Sequence, residues 1–172
     1  AFGFDKESFI KEINQHFEGF KEKVKNYLVI DEDLPMEQVV ARLLKESGKT
    51  LSTAESCTGG YIAHIMTSHP GSSVYFTGSV VSYANRIKES MLHVPAETLQ
   101  TVGAVSEDTV KQMARSVREL MQTDYAIAVS GIMGPDGATA EKPVGMVWVA
   151  VADQDRVVTQ LFNFRFDRRR NI

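Results

Sequence analysis

The chain has 172 residues, 43% of them hydrophobic and 24% charged, which suits one ordinary globular domain with room for an appendage and excludes a disordered tail protein. A net charge of −3 and a pI near 5.8 argue against broad electrostatic binding to DNA or RNA and leave only a local basic patch open. A single cysteine cannot close an internal disulfide, no CxxC or His-rich spacing suggests zinc, and no apolar run reaches membrane-spanning length or forms a signal peptide, so a cytoplasmic protein without metal or membrane partner is expected.

The first thirty residues differ from the rest. Phe9, Ile10, Ile13, Phe17, Phe20, Val24 and Tyr27 recur at spacings of three and four, which predicts a long helix with one apolar stripe. His16 sits within that pattern and carries no catalytic weight. The acidic break "VIDEDLP" (29–35) ends in a proline suited to the first turn of a second helix, which Gly48 can cap. Alternation follows: "TLSTA" (50–54) reads as a strand, 58–67 as a helix, "SSVYFTGSVVSY" (72–83) contains a second strand, and 85–92 a short helix. "SEDTVKQMARSVRELMQ" (106–122) is a strong helix with Ser106 as its cap and Val110, Met113, Ala114, Val117 and Leu120 on one face. "DYAIAVSG" (124–131) is a mostly apolar strand, as expected inside a sheet covered on both faces. A glycine- and proline-rich loop (131–145) precedes "MVWVAVA" (146–152), and "RVVTQLFNF" (156–164) follows a short turn, so the last two strands form an antiparallel hairpin. These elements predict an α/β fold, a mixed sheet sandwiched by helices.

Three stretches could carry chemistry. In "TAESCTGG" (53–60) a strand end meets a helix start. The first amides of such a helix lack partners, Gly59 and Gly60 admit close approach, and negative charge is favoured there. Ser56 there could have an oxyanion stabilised by neighbouring amides, or Ser56 or Thr58 could simply cap the helix. No histidine is well placed as its base: His64, His69 and His93 all read as surface residues. "SYANRIK" (82–88) offers instead a phenol, an amide and an amine near one sheet end, with Asn85 as a candidate helix cap. Lys88 can act as a base only when largely neutral. Lowering its pKa from ~10.4 to ~7 disfavours the ammonium by about 4.6 kcal/mol, to which burial can contribute. Tyr83 and Lys88 are five residues apart rather than four, and no GxGxxG precedes them, which rejects a dehydrogenase Tyr/Lys pair.

The third stretch is "SGIMGPDGATAEKPVG" (130–145), in which Thr139 and Lys142 offer a hydroxyl and a cation beside glycines that permit tight turns. It could hold a phosphate in a nest of amides, although it lacks the GK[ST] of a P-loop. The closing "FDRRRNI" (166–172) is basic and either starts a helix or folds an arginine onto an anionic substrate.

Taken together, "TAESCTGG", "SVVSYANRIK", "GAVSEDTV" and "SGIMGPDGATAEKPVGMVWVAV" resemble, in order and with matching spacing from about Leu34 to Arg170, the C-terminal domain of the competence/damage-inducible protein CinA, which also occurs alone as nicotinamide-nucleotide amidase. The resemblance implies a three-layer α/β/α sandwich with a mixed sheet that needs no metal or other cofactor. It implies hydrolysis of the carboxamide of nicotinamide mononucleotide to a carboxylate and ammonia. It makes Ser56 the nucleophile and Tyr83 and Lys88 its activating partners. Thr58, Gly59, Gly60, Asn85, Ser130, Gly131, Thr139, Lys142 and Arg168 would surround the nucleotide. The family loop reads "GIAGPxGG"; Met133 and Ala138 depart from it, which is expected to narrow the pocket or shift the loop. Residues 1–33 resemble the connecting part of a longer two-domain parent, and 34–172 the amidase domain without its closing helix, so a piece of a longer protein is expected, active form and self-association left open. The same loops would also suit a non-catalytic nucleotide-binding or regulatory module in which Lys88 stays charged; release of ammonia from the mononucleotide separates the two.

Overall fold

The computed structural model describes residues 5–28 and 30–172; Val29, at the start of the acidic break, lies outside them. The chain divides into two compact units, Ala1–Pro35 and Met36–Ile172. The first holds α1 (Lys6–Val24), capped by the Asp5 carboxylate, which accepts from the Glu7 amide. α1 carries the stripe from Phe9 to Val24, with Tyr27 beyond its end, and buries none of its residues, since among the described residues its unit has no second helix to pack on.

The second unit begins with α2 (Met36–Ser47) and runs through β1 (Leu51–Glu55), α3 (Tyr61–Thr67), β2 (Phe76–Val81), α4 (Asn85–Leu92), α5 (Ala96–Thr101), α6 (Glu107–Met121), β3 (Tyr125–Gly131), β4 (Met146–Ala152), β5 (Val157–Asn163) and a short α7 (Arg168–Asn171). The sheet order is β2-β1-β3-β4-β5. β1 pairs in parallel with both β2 and β3, whereas β3–β4 and β4–β5 are antiparallel, so the sheet is mixed and ends in the expected hairpin.

Alternation along the strands assigns the two faces. Ala54, Ala126, Ala128, Ala150 and Ala152 turn small side chains toward one face, where Val110, Met113, Ala114 and Val117 of α6 and Leu92 of α4 complete a fully buried core. Alanine at these positions lets α6 lie close across the strands, and the matching spacing of its apolar residues supplies the other half of the contact. On the opposite face Leu51 packs with Ala41 and Leu44 of α2 and Met66 of α3. Ser106 caps α6 as expected, its hydroxyl accepting from the Thr109 amide at 3.2 Å.

Three boundaries differ from the sequence reading. The second strand starts at Phe76, after a single 3-10 turn over Ser72–Val74. The helix expected from 58 starts at Tyr61, because Gly59 and Gly60 have φ of +62° and +99°, outside the right-handed helix. α5, just after Pro95, carries no apolar repeat strong enough to announce itself at six residues. Among the described residues no helix is long and apolar enough to cross a membrane.

Candidate active site

β1 and β2 are parallel neighbours, so their carboxyl ends lie side by side. Ser56 follows β1 directly and is held by its amide, which donates to the Val129 carbonyl of β3 at 3.0 Å. Ser82 follows β2 in the same way, its amide donating to the Glu55 carbonyl at 2.7 Å. α4 then returns over this end, and Lys88, one turn inside it, shares its buried face with Leu92. The amine of Lys88 donates to Ser56 Oγ at 2.9 Å and to the Ser82 carbonyl at 2.6 Å.

Lys88 is 1% exposed and Ser56 8%. Burial pushes the lysine below its ordinary value of 10.5, opposed only by its proximity to the Cys57 thiol. A buried ammonium is costly unless paired with an anion, and the bonds to this amine come from a hydroxyl and a carbonyl. A neutral amine in this place would keep the Ser82 contact as a donor and would accept the Ser56 hydroxyl proton on its lone pair. A serine and a buried lysine in this relation have the geometry that a nucleophile–base pair without histidine requires.

A cavity of about 210 Å³ opens in front of them, walled by Tyr83, Asn85, Val105, Ser130, Met133 and Arg168 among others. Five expected site residues thus join Ser56 and Lys88: Tyr83, Asn85, Ser130, Gly131 and Arg168. Ser130 is buried and donates to the Ala104 carbonyl at 2.8 Å. Arg168 reaches the cavity from α7, donating to Gly134 O at 3.0 Å and to Tyr83 Oη at 3.1 Å. Tyr83 is therefore tied to Arg168, and among the described residues it makes no hydrogen bond to Ser56 or Lys88. Asn85 opens α4 but does not cap it; Ala84 is the cap residue, and the Asn85 side chain remains free for the cavity. Gly131 answers to sheet packing: a Cβ there would meet Val147 Cγ2 at 2.7 Å and Met146 O at 2.8 Å.

The other expected residues go elsewhere. Thr139 and Lys142 close a turn on each other, the Lys142 amide donating to Thr139 Oγ1 at 3.0 Å, and line a separate open groove with Trp148. The Lys142 amine donates to the Val102 carbonyl at 2.5 Å. Thr58 and Gly60 are consumed by a residue the sequence did not flag. Glu55, fully buried at the end of β1, accepts from Thr58 Oγ1 at 2.7 Å and from the amides of Gly60, Ile62 and Ala63 at 3.1, 3.0 and 2.8 Å. The helix-start amides expected to receive a ligand anion thus receive the protein's own carboxylate. The amides of Cys57 and Thr58 are the donors of this turn that keep no oxygen acceptor among the described residues. An acid just ahead of a glycine pair that starts a helix was the available signal.

Cys57 is buried, packs with Val129, Met133 and Val147, and lines the same cavity as Ser56. Burial pushes its thiol up to about 11, against the smaller opposing pull of nearby amides and Lys88. Met133 is 3% exposed in this cluster. It forms part of the cavity wall. Asp167 caps α7, accepting from the Arg169 and Arg170 amides, and the Asn171 side chain donates to the Phe166 carbonyl at 2.8 Å, so the basic end is anchored.

Residues 33–172 match the model of the CinA C-terminal domain. A CinA-like protein of Cytophaga hutchinsonii is 48% identical over 166 residues, 95% of this chain and 40% of that protein. One of Geotalea daltonii is 51% identical over 133 residues, 77% of this chain and 32% of that protein. The chain therefore spans well under half the length of these relatives. Among solved structures, the competence damage-inducible protein A of Klebsiella pneumoniae superposes with a TM-score of 0.77 at 36% identity, covering 79% of this chain and 84% of that one. The competence/damage inducible protein CihA of Agrobacterium tumefaciens gives 0.75 at 37%, covering 83% and 90%. With the family model covering most of the chain and the fold shared with these structures, the protein belongs to the CinA family through its C-terminal domain.

Proposed function

We propose that this domain is an amidohydrolase that converts nicotinamide mononucleotide to nicotinic acid mononucleotide and ammonia. The observation that carries the proposal is the 2.9 Å contact between a buried lysine amine and Ser56 Oγ at the wall of a cavity. Neutral Lys88 takes the Ser56 proton as Oγ attacks the carboxamide carbon. The amides of Cys57 and Thr58, which here lie against the Cys57 sulfur, would turn to the developing oxyanion. Lys88 then gives the proton to the departing ammonia, leaving an ester on Ser56. A water, deprotonated by the same amine, cleaves the ester and restores the serine.

A cavity of about 210 Å³ suits the pyridine ring and its amide rather than a whole nucleotide. The ribose and phosphate would extend past the rim, where the Arg168 guanidinium bonds, among the described residues, the neutral oxygens of Gly134 and Tyr83. A phosphate could replace those contacts with a bidentate pair. Tyr83 meets the substrate from this rim; direct contact with Ser56 would require it to leave Arg168. Asn85 and Ser130 supply the polar groups that orient the ring amide.

The test is incubation with the mononucleotide and assay of ammonia and nicotinic acid mononucleotide. Turnover lost in Ser56→Ala supports the proposal. Tight binding of the nucleotide without ammonia release would instead favour a non-catalytic nucleotide-binding module.

A further inference from the structure

We propose that Glu55 is a positioning residue for Ser56, acting through the backbone of the turn and never touching substrate; the idea rests on Ser56 being the nucleophile. Its carboxylate is fully buried, and its partners among the described residues are hydroxyls and amides rather than a cation. A carboxylate is a poor choice for filling space in a core, because removing it from water costs several kcal/mol that packing alone does not return. What it does better than an apolar residue is accept many hydrogen bonds at once.

The donors bracket the nucleophile. Thr53 Oγ1 lies before it at 3.2 Å, and Thr58, Gly60, Ile62 and Ala63 follow it within 3.1 Å. Ser79 Oγ, 3.5 Å away, adds a weak tie to β2. Between these anchors lie Gly59 and Gly60, both at positive φ, whose backbone would otherwise sample many shapes. One carboxylate thus fixes the path of residues 56–60 and the start of α3. It holds Ser56 Oγ toward Lys88 and leaves the Cys57 and Thr58 amides with the Cys57 sulfur rather than an oxygen as their acceptor. A misplacement of about 1 Å at a reacting atom costs on the order of 10²-fold in rate.

Glutamine in this place is nearly isosteric but accepts on one oxygen only and turns an NH2 toward donors. The experiment compares unmodified protein, Glu55→Gln and Thr58→Val, with Ser56→Ala as the blank, using the labelling rate of Ser56 by a fluorophosphonate probe. The folded fraction is measured by circular dichroism, and kcat and KM with the mononucleotide. Glu55→Gln is expected to slow labelling about 10-fold or more per folded molecule and to lower kcat similarly, with KM within about twofold. Thr58→Val, which removes one donor, should show a smaller slowing of the same kind. Labelling at the unmodified rate per folded molecule overturns the proposal. If Glu55→Gln does not fold, Thr58→Val decides by the same measure. Labelling without ammonia release in the unmodified protein sinks the amidase reading while leaving the role of Glu55 tested; no labelling of the unmodified protein sinks both.

Discussion

Lys88 and Ser56, separated by 32 positions in the chain, meet at 2.9 Å because β1 and β2 are parallel neighbours and α4 folds back over their shared end. The lysine is sealed there by Leu92 on its own helix and by the Ser82 carbonyl, and it is 1% exposed. A helix lysine facing solvent would have neither the lowered pKa nor the directed contact.

Ser56→Ala is expected to remove amide hydrolysis, by about 10³-fold or more, while thermal unfolding shifts little. Cys57→Ala should keep most turnover, with a stability loss of about 1 kcal/mol from the vacated space. With its thiol pushed up to about 11, Cys57 should react slowly with iodoacetamide at neutral pH, and alkylation should not parallel inactivation. An inactive Cys57→Ala beside an active Ser56→Ala would reverse the assignment.

The pH dependence follows from Lys88. Burial lowers its pKa from 10.5, so kcat/KM should rise with pH through a single ionisation below the ordinary lysine range, as the amine loses its proton. Stability carries the same sign. Between the folded and unfolded pKa values the unfolded chain holds the extra proton, so stability rises with pH across that interval and is lower beneath it. Lys88→Met should flatten this component of the stability profile and abolish turnover. Lys88→Arg keeps a cation that cannot serve as a base, so it should bind nucleotide and fail to hydrolyse it. Normal turnover in the arginine variant would exclude the proposed base.

Arg168→Ala should raise KM for the mononucleotide about tenfold, with a smaller effect on kcat. It removes the guanidinium that bonds Gly134 and Tyr83 at the rim. The activity ratio of mononucleotide to free nicotinamide, measured side by side, should fall in this variant. An unchanged ratio would place the phosphate elsewhere.

Gly145→Ala should be among the most damaging single-methyl changes. A Cβ there would lie 1.9 Å from the Phe164 carbonyl oxygen, at a φ of +88° that side chains avoid. The Gly145 amide donates to Ile132 O at 2.7 Å, and its carbonyl accepts from the Phe164 amide at 2.8 Å, so the glycine joins the long loop to the segment carrying Arg168. A loss of about 3 kcal/mol or more is expected from the combined clash and strain. Gly59→Ala, at +62° with open space around it, should cost only about 1 kcal/mol. Chemical denaturation of the two variants checks the contrast.

The sheet and its covering helices were readable because apolar spacing at Val110, Met113, Ala114 and Val117 and the runs at 125–131 and 146–152 record burial directly. Ser56 was singled out because it closes a strand before a helix and Lys88 because it falls a turn into the helix after the next strand, but it was the resemblance that joined the two, and the structure places them in contact. Glu55 was not: a glutamate closing a short strand has no periodicity to distinguish it from a solvated one, and its donors lie up to eight residues onward. Thr139 and Lys142 were placed near the nucleotide by motif alone. Their mutual turn and the bond to Val102 depend on how a long glycine loop folds, which local spacing does not encode. Asn85 has the chemistry of a cap, but the extended backbone of Ala84 puts the helix start one residue too early for it to serve.

The sheet order also separates events in time. β4 and β5 are joined by a short turn and can pair early, whereas bringing the ends of β1, β2 and β3 together requires closing loops through α3, α4 and α6. Ser56, Lys88 and Ser130 come one from each of those three chain stretches, so no partial assembly containing only the hairpin could bind or turn over substrate. During refolding from denaturant, regain of ammonia release should therefore lag behind the recovery of β-structure seen by far-ultraviolet circular dichroism. The proposed hydrolysis would then serve as a clock for the last, non-local closures of the chain.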